Sequence, residues 1–104
     1  MEILTENKDD FFVIKIVGRL DASTSNDLEE KVLEAIEDNG VTNMLINFDE
    51  LEYISSSGLR VLLVAAKKLK VKSGIIKICG MKSHIREVFE IAGFTPLFTI
   101  EDNC

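Results

Sequence analysis

The sequence predicts an α/β domain with a largely parallel or mixed sheet of four to five strands joined by crossover helices. Three observations predict it. Short apolar, β-branched runs alternate with stretches of helical periodicity along the whole chain. Turn and capping residues punctuate each change of period. No linker, repeat or low-complexity stretch interrupts the 104 residues, so residues 1–104 are expected to form one domain.

Phe11 to Val17 is rich in aromatic and β-branched residues and closes at Gly18, as a strand would. Ile3 to Thr5 predicts a shorter strand before it, and Asn7 to Asp10 has hairpin-loop chemistry. Capping residues crowd Asp21 to Asp27, where Thr24 and Asp27 have the spacing of a capping box. Leu28, Val32, Ala35 and Ile36 then recur at helical spacing until Asn39-Gly40 stops the helix. Met44 to Phe48 predicts a strand apolar enough to be buried on both faces or in mid-sheet. Leu59, Leu62, Leu63, Ala66 and Leu69 mark a second helix, with lysines at the end where the dipole favours them. Ile75 to Cys79 is the third main strand. Ile85, Val88, Phe89 and Ala92 form the stripe of a third helix, capped by Ser83 and closed by Gly93 before Pro96. Leu97 to Ile100 is the last short strand.

Composition narrows the function. Lys and Arg total 12 against 18 for Asp and Glu, a formal charge of −6. An acidic domain without a Lys/Arg block has no footprint for phosphate backbones or anionic lipid, so neither nucleic acid nor membrane is an expected partner. Hydrophobic residues make up 46%, enough for a core without metal or disulfide. Cys79 and Cys104 have no ligand spacing and are expected to be a core filler and a tail residue. There is no leader-like N-terminus and no apolar run of about 20 residues, so the expected location is the cytoplasm. Catalysis is not expected. His84 is the sole histidine, no G-x-S-x-G is present, and Gly80 to Ser83 lacks the upstream glycine of a phosphate loop. No cofactor or metal is expected either.

In open α/β sheets, functional groups gather at the carboxyl ends of strands. Three loops are expected to open on that edge: Gly18 to Thr24, Ile54 to Leu59, and Gly80 to Ser83. The sharpest feature is Ser55-Ser56-Ser57-Gly58 ahead of the second helix. Serine is favoured as a plain N-cap, but three serines exceed what one cap needs. A helix N-terminus also offers unpaired N–H groups that suit a phosphate.

The run from Leu45 to Leu63 closely resembles the signature of STAS-domain anti-sigma factor antagonists, in which a strand and short loop lead to a D-S-S/T-G-L segment opening a helix. Gly18-Arg19-Leu20-Asp21 with Thr24 and Leu28 resembles that family's first loop and helix. Ile76 to Gly80, and Val88 to Phe94 with Phe98 beyond, match its later segments, so the resemblance spans essentially the whole chain. It implies a STAS-like fold and a protein that binds an anti-sigma factor, often itself a serine kinase, to free a sigma factor. It implies phosphorylation on the serine before the glycine, here Ser57, and restoration of binding by a serine phosphatase. Asp21, Ser55, Ser56, Ser57, Gly58, Leu59 and, on the adjoining loop, Met81 would then line the partner surface of a monomer or weak dimer. Ser55 stands where the family has Asp, which makes Ser55 and Ser56 alternative acceptors. The same domain type also implies an alternative role, as a regulatory subunit of a stress-signalling or transport complex.

Overall fold

The computed structural model describes residues 1–104, and it begins with a hairpin. β1 (Glu2–Lys8) runs antiparallel to β2 (Phe11–Leu20), in register from Glu2↔Val17 to Lys8↔Phe11. Asp9 and Asp10 connect them with φ of 51° and 69°. A two-residue type I′ turn needs positive φ at both positions, and Asp tolerates it better than most residues.

β2 is long enough to hold two partners on one side. Phe12 to Lys15 pair in parallel with β3 (Asn43–Asn47), and Gly18 to Leu20 pair in parallel with β4 (Leu51–Ile54). The register shifts between Gly18 and Arg19, where Gly18 takes a φ of 99°. β5 (Ile75–Cys79) lies parallel to β3, and β6 (Thr99–Glu101) parallel to β5. The order is β1-β2-β3-β5-β6 with β4 beside the upper half of β2, six strands in all. The sequence predicts four to five, and β4 is the addition. Its four residues are buried only at Leu51 and Ile54, so they carry no alternating signal.

Three α-helices connect the strands: α1 (Ser25–Leu33), which relaxes into a π-helical turn over Glu34–Asp38, α2 (Ser56–Val71) and α3 (Ser83–Ala92). A 3₁₀ turn at Thr95–Leu97 leads into β6. Packing joins α1 to α2, α2 to β5, and α3 to β4. No helix is long and apolar enough to cross a membrane.

One cluster of 22 buried residues draws on every α-helix and on β2 to β5, which makes the chain one domain. Ile14, Ile16, Met44, Ile46, Ile76 and Ile78 all face it. Their neighbours Lys15, Leu45, Asn47 and Lys77 lie on the other sheet face and are only half-buried. β3 therefore takes the mid-sheet place that its apolar run allows, between β2 and β5, and is buried on one face, not both. Its apolar run reads as two-sided only because Leu45 is apolar, and no helix covers it.

Four local expectations also change. Thr24 is the N-cap residue of α1 but makes no side-chain cap, because its hydroxyl is engaged with Asp21 and the Arg19 carbonyl. Ser83 is the first residue of α3, not its cap, a position Lys82 takes with its backbone. Ala92 is exposed at the end of α3. Cys79 and Cys104 are joined in a disulfide, with Cα atoms 5.1 Å apart, so Cys79 is not a free core filler.

Candidate functional site

β2, β4 and β5 run parallel within one sheet, so the loops that follow them open on one edge. Direct bonds join the three loops there. The Ser55 amide donates to the Leu20 carbonyl at 2.8 Å, linking the first loop to the second. The Lys82 ammonium donates to the Leu51 carbonyl at 3.2 Å, and His84 Nε2 lies 2.8 Å from the Glu52 carbonyl oxygen. The third loop is thereby held against the β4 strand that delivers the second.

At the centre stands the first turn of α2. Ser55 is its N-cap, in extended conformation, and its Oγ accepts from the Gly58 amide at 3.2 Å. Leu59 donates its amide to the Ser55 carbonyl at 3.0 Å. Ser55 thus performs the capping that Asp and Ser share, which explains how a serine can occupy this place without disturbing the helix start. The amides of Ser56 and Ser57 belong to the unpaired donors every helix start presents. Ser56 is exposed and Ser57 half-buried. No acidic residue occupies the first turn of α2, and lysines occupy its last, so the dipole field at Ser57 is unopposed within the helix.

Gly58 and Leu59 are buried beneath these serines. A Cβ on Gly58 would lie 2.7 Å from Leu20 Cγ and 3.1 Å from Ile54 Cγ1. Glycine at this position lets α2 start close against the ends of β2 and β4.

Asp21 organises the neighbouring loop. Its Oδ1 accepts from the Ser23 hydroxyl at 2.8 Å, the Ser23 amide at 3.1 Å and the Thr24 amide at 3.2 Å. The Ser23 hydroxyl, with the other Ser23 and Thr24 donors, holds its carboxyl below the usual carboxylate range. Asp21 therefore shapes the loop from within. Glu50 is drawn to Lys15 at 2.7 Å, and that hydrogen bond lowers the Glu50 pKa while raising that of Lys15. Met81 is half-buried and packs against the central core, while Lys82 beside it is exposed.

The structure brings Leu20 and Ser55 together and anchors the Met81 loop to β4. The sequence reading missed Arg19, Tyr53 and Lys82. Arg19 and Tyr53 are cross-strand partners, with the guanidinium 4.2 Å from the ring centroid. Only the unpredicted β4 makes them neighbours. Lys82 could have been noticed as the one cation of the third loop.

Comparison with known proteins matches this architecture throughout. The sequence profile of the STAS domain covers residues 2–104. The chain is 34% identical over 103 residues to BtrV of Bordetella bronchiseptica, a protein assigned as an anti-sigma factor antagonist, covering 99% of this chain and 88% of that one. It is 29% identical to the anti-sigma-B factor antagonist of Staphylococcus aureus, covering 98% and 94%. Among solved structures, the anti-sigma factor antagonist SpoIIAA in its unphosphorylated form superposes with a TM-score of 0.81 at 23% identity, covering 99% of this chain and 90% of that one. The phosphorylated form of the Bacillus protein gives 0.77 at 25%, covering 95% and 90%.

Proposed function

The chain belongs to the STAS domain family, and on that premise we propose that it is an anti-sigma factor antagonist switched by phosphorylation of Ser57. It acts in the cytoplasm without catalysis of its own. Unphosphorylated, it binds an anti-sigma factor through the α2 start and the loops beside it, and so releases a sigma factor. The anti-sigma factor is itself the serine kinase that modifies Ser57, and a serine phosphatase reverses the modification.

The observation that carries this reading is the helix start at Ser55 to Gly58, with Ser57 at its second helical position on a loop-lined edge. Its chemistry supports a switch. A phosphoserine adds about −1.5 to −2 charges, and the unpaired helix amides tolerate them without unfolding the chain. The same charge must lose water when a partner docks over it, at a cost of several kcal/mol unless paired. Each 1.4 kcal/mol of that cost weakens binding about tenfold. Ser55 is a poorer acceptor because its oxygen already serves as the cap. Asp21, Ser56 and Met81 complete the surface, Asp21 by holding the first loop in shape. Gly58 and Leu59, expected there from the sequence, are buried and instead seat the helix start from beneath.

Incubation with the cognate anti-sigma kinase and ATP, followed by peptide mass mapping, tests the proposal. One phosphate is expected, on Ser57. Ser57→Ala should retain partner binding, and Ser57→Asp should weaken it at least tenfold. Modification confined to Ser55 or Ser56, or full binding by Ser57→Asp, rejects the switch at Ser57. Recovery of transporter components in place of an anti-sigma factor rejects the role itself.

A further inference from the structure

We propose that Cys79 and Cys104 are a redox-responsive pair that straps the C-terminal segment across the sheet face opposite the helices. Three observations carry it. Cys79 is fully buried yet is absent from the central core cluster, whereas the alternate β5 residues Ile76 and Ile78 belong to it. Cys79 therefore lies on the open face, beside half-buried Lys77 and Asn47. Something other than the helices must cover it, and the residue bonded to it is Cys104.

Phe98 and Ile100 tie the approach to β6 and β6 itself to the core, but beyond them the remaining hold on the tail is slight. β6 has three residues and pairs only with β5. The Gly80 amide donates to the Glu101 carbonyl at 3.2 Å, and two surface ion pairs, Lys77–Glu101 at 3.5 Å and Arg86–Asp102 at 3.4 Å, assist. Such exposed pairs contribute little. Asn103 and Cys104 are exposed, so the disulfide is the lock on the tail.

The exchange has a defined order. Exposed Cys104, as thiolate, attacks one sulfur of a low-molecular-weight disulfide, which breaks and releases one small thiolate. Cys79, as thiolate, then attacks the Cys104 sulfur of the mixed disulfide and expels the second small thiolate. Two protein thiols are oxidised and one small disulfide is reduced to two thiols. Reduction reverses these steps, beginning at the accessible Cys104 sulfur. Resting on the cytoplasmic reading above, the dithiol is the ordinary state and the disulfide forms under oxidising stress. Cys79 directly precedes Gly80 and the Met81 loop, so the strap secures the chain where that loop leaves the sheet.

The test equilibrates the purified chain in glutathione buffers of graded thiol-to-disulfide ratio, then alkylates it and maps the peptides. A Cys79–Cys104 cross-linked peptide should appear within single chains, and Cys79→Ala should accumulate glutathione on Cys104. In the reduced chain, and in Cys104→Ser, Cys79 should become alkylated and the Gly80 and β6 amides should exchange at least tenfold faster than in the oxidised chain. Closing this 25-residue separation should raise Tm on oxidation by on the order of 10 °C. Cross-links only between chains, a Cys79 still protected after reduction, or equal exchange in the two states overturns the proposal. None of these readouts needs a partner. Failure to bind an anti-sigma factor in either redox state would count against the functional reading alone.

Discussion

At the scale of single residues, the α2 start is set by two opposing demands on the same four positions. Ser55 supplies the cap, and a capping side chain is worth about 1 kcal/mol. Gly58 lies in a helix, where alanine would ordinarily be favoured by about 1 kcal/mol. Here the added methyl would collide with Leu20 Cγ at 2.7 Å, and Leu20 is itself fully buried. Overpacking of that kind costs about 1–3 kcal/mol. The clash wins, so Gly58→Ala should lower the urea midpoint. A variant at least as stable as the parent would show that Leu20 and Ile54 give way freely. Motif spacing marked Gly58, but only the Leu20 contact explains it.

Among the elements, the β2–α1 loop carries the clearest pH dependence. Hydrogen bonds favour the charged form of Asp21, so its folded pKa lies below the unfolded value of about 3.9. The stabilisation is complete above the unfolded pKa and is lost as pH falls through the folded one. Glu37, held by Lys68, and Glu50, held by Lys15, act in the same direction. Stability should therefore decline below about pH 4. Asp21→Asn should make that decline shallower without abolishing it. Urea unfolding at pH 5 and pH 3 measures the difference, and an undiminished acid loss in the variant would remove Asp21 from the account. The capping residues here were legible in the sequence, but their use was not. Thr24 is within reach of Asp21 as well as Asp27, and the Arg19 carbonyl at the end of β2 draws its hydroxyl inward.

Across the whole molecule, an aromatic chain links the end of β3 to the approach of β6. Phe48 and Phe89 meet edge to face with centroids 6.1 Å apart, and Phe89 and Phe98 do so at 5.7 Å. Phe89 touches both neighbours from α3 and is fully buried. Phe89→Ala should cost about 3–5 kcal/mol, a large share of the typical 5–15 kcal/mol total. Denaturant unfolding reads the loss directly. A cost below about 1 kcal/mol would mean that the surrounding core collapses into the space.

By itself the sequence determined the alternation of strands and helices, the parallel core of the sheet and the serine-rich helix start at its carboxyl edge. Hydrophobic period, caps and turn residues belong to consecutive positions and are written locally. A hairpin loop within Asn7 to Asp10 was legible for the same reason. Its tightening to a two-residue turn at Asp9 and Asp10 was not, because Asn7 and Lys8 join β1 only by pairing with Phe12 and Phe11. Tertiary structure alone decided the rest. β4 exists because β2 outruns β3 and leaves its upper half to pair. β3 is buried on one face because all the core-forming helices lie on that side. Cys79 meets Cys104 because β6 returns beside β5, a contact between residues 25 apart that no local pattern encodes. Pairing and facing depend on strand order, and strand order is a property of the assembled sheet.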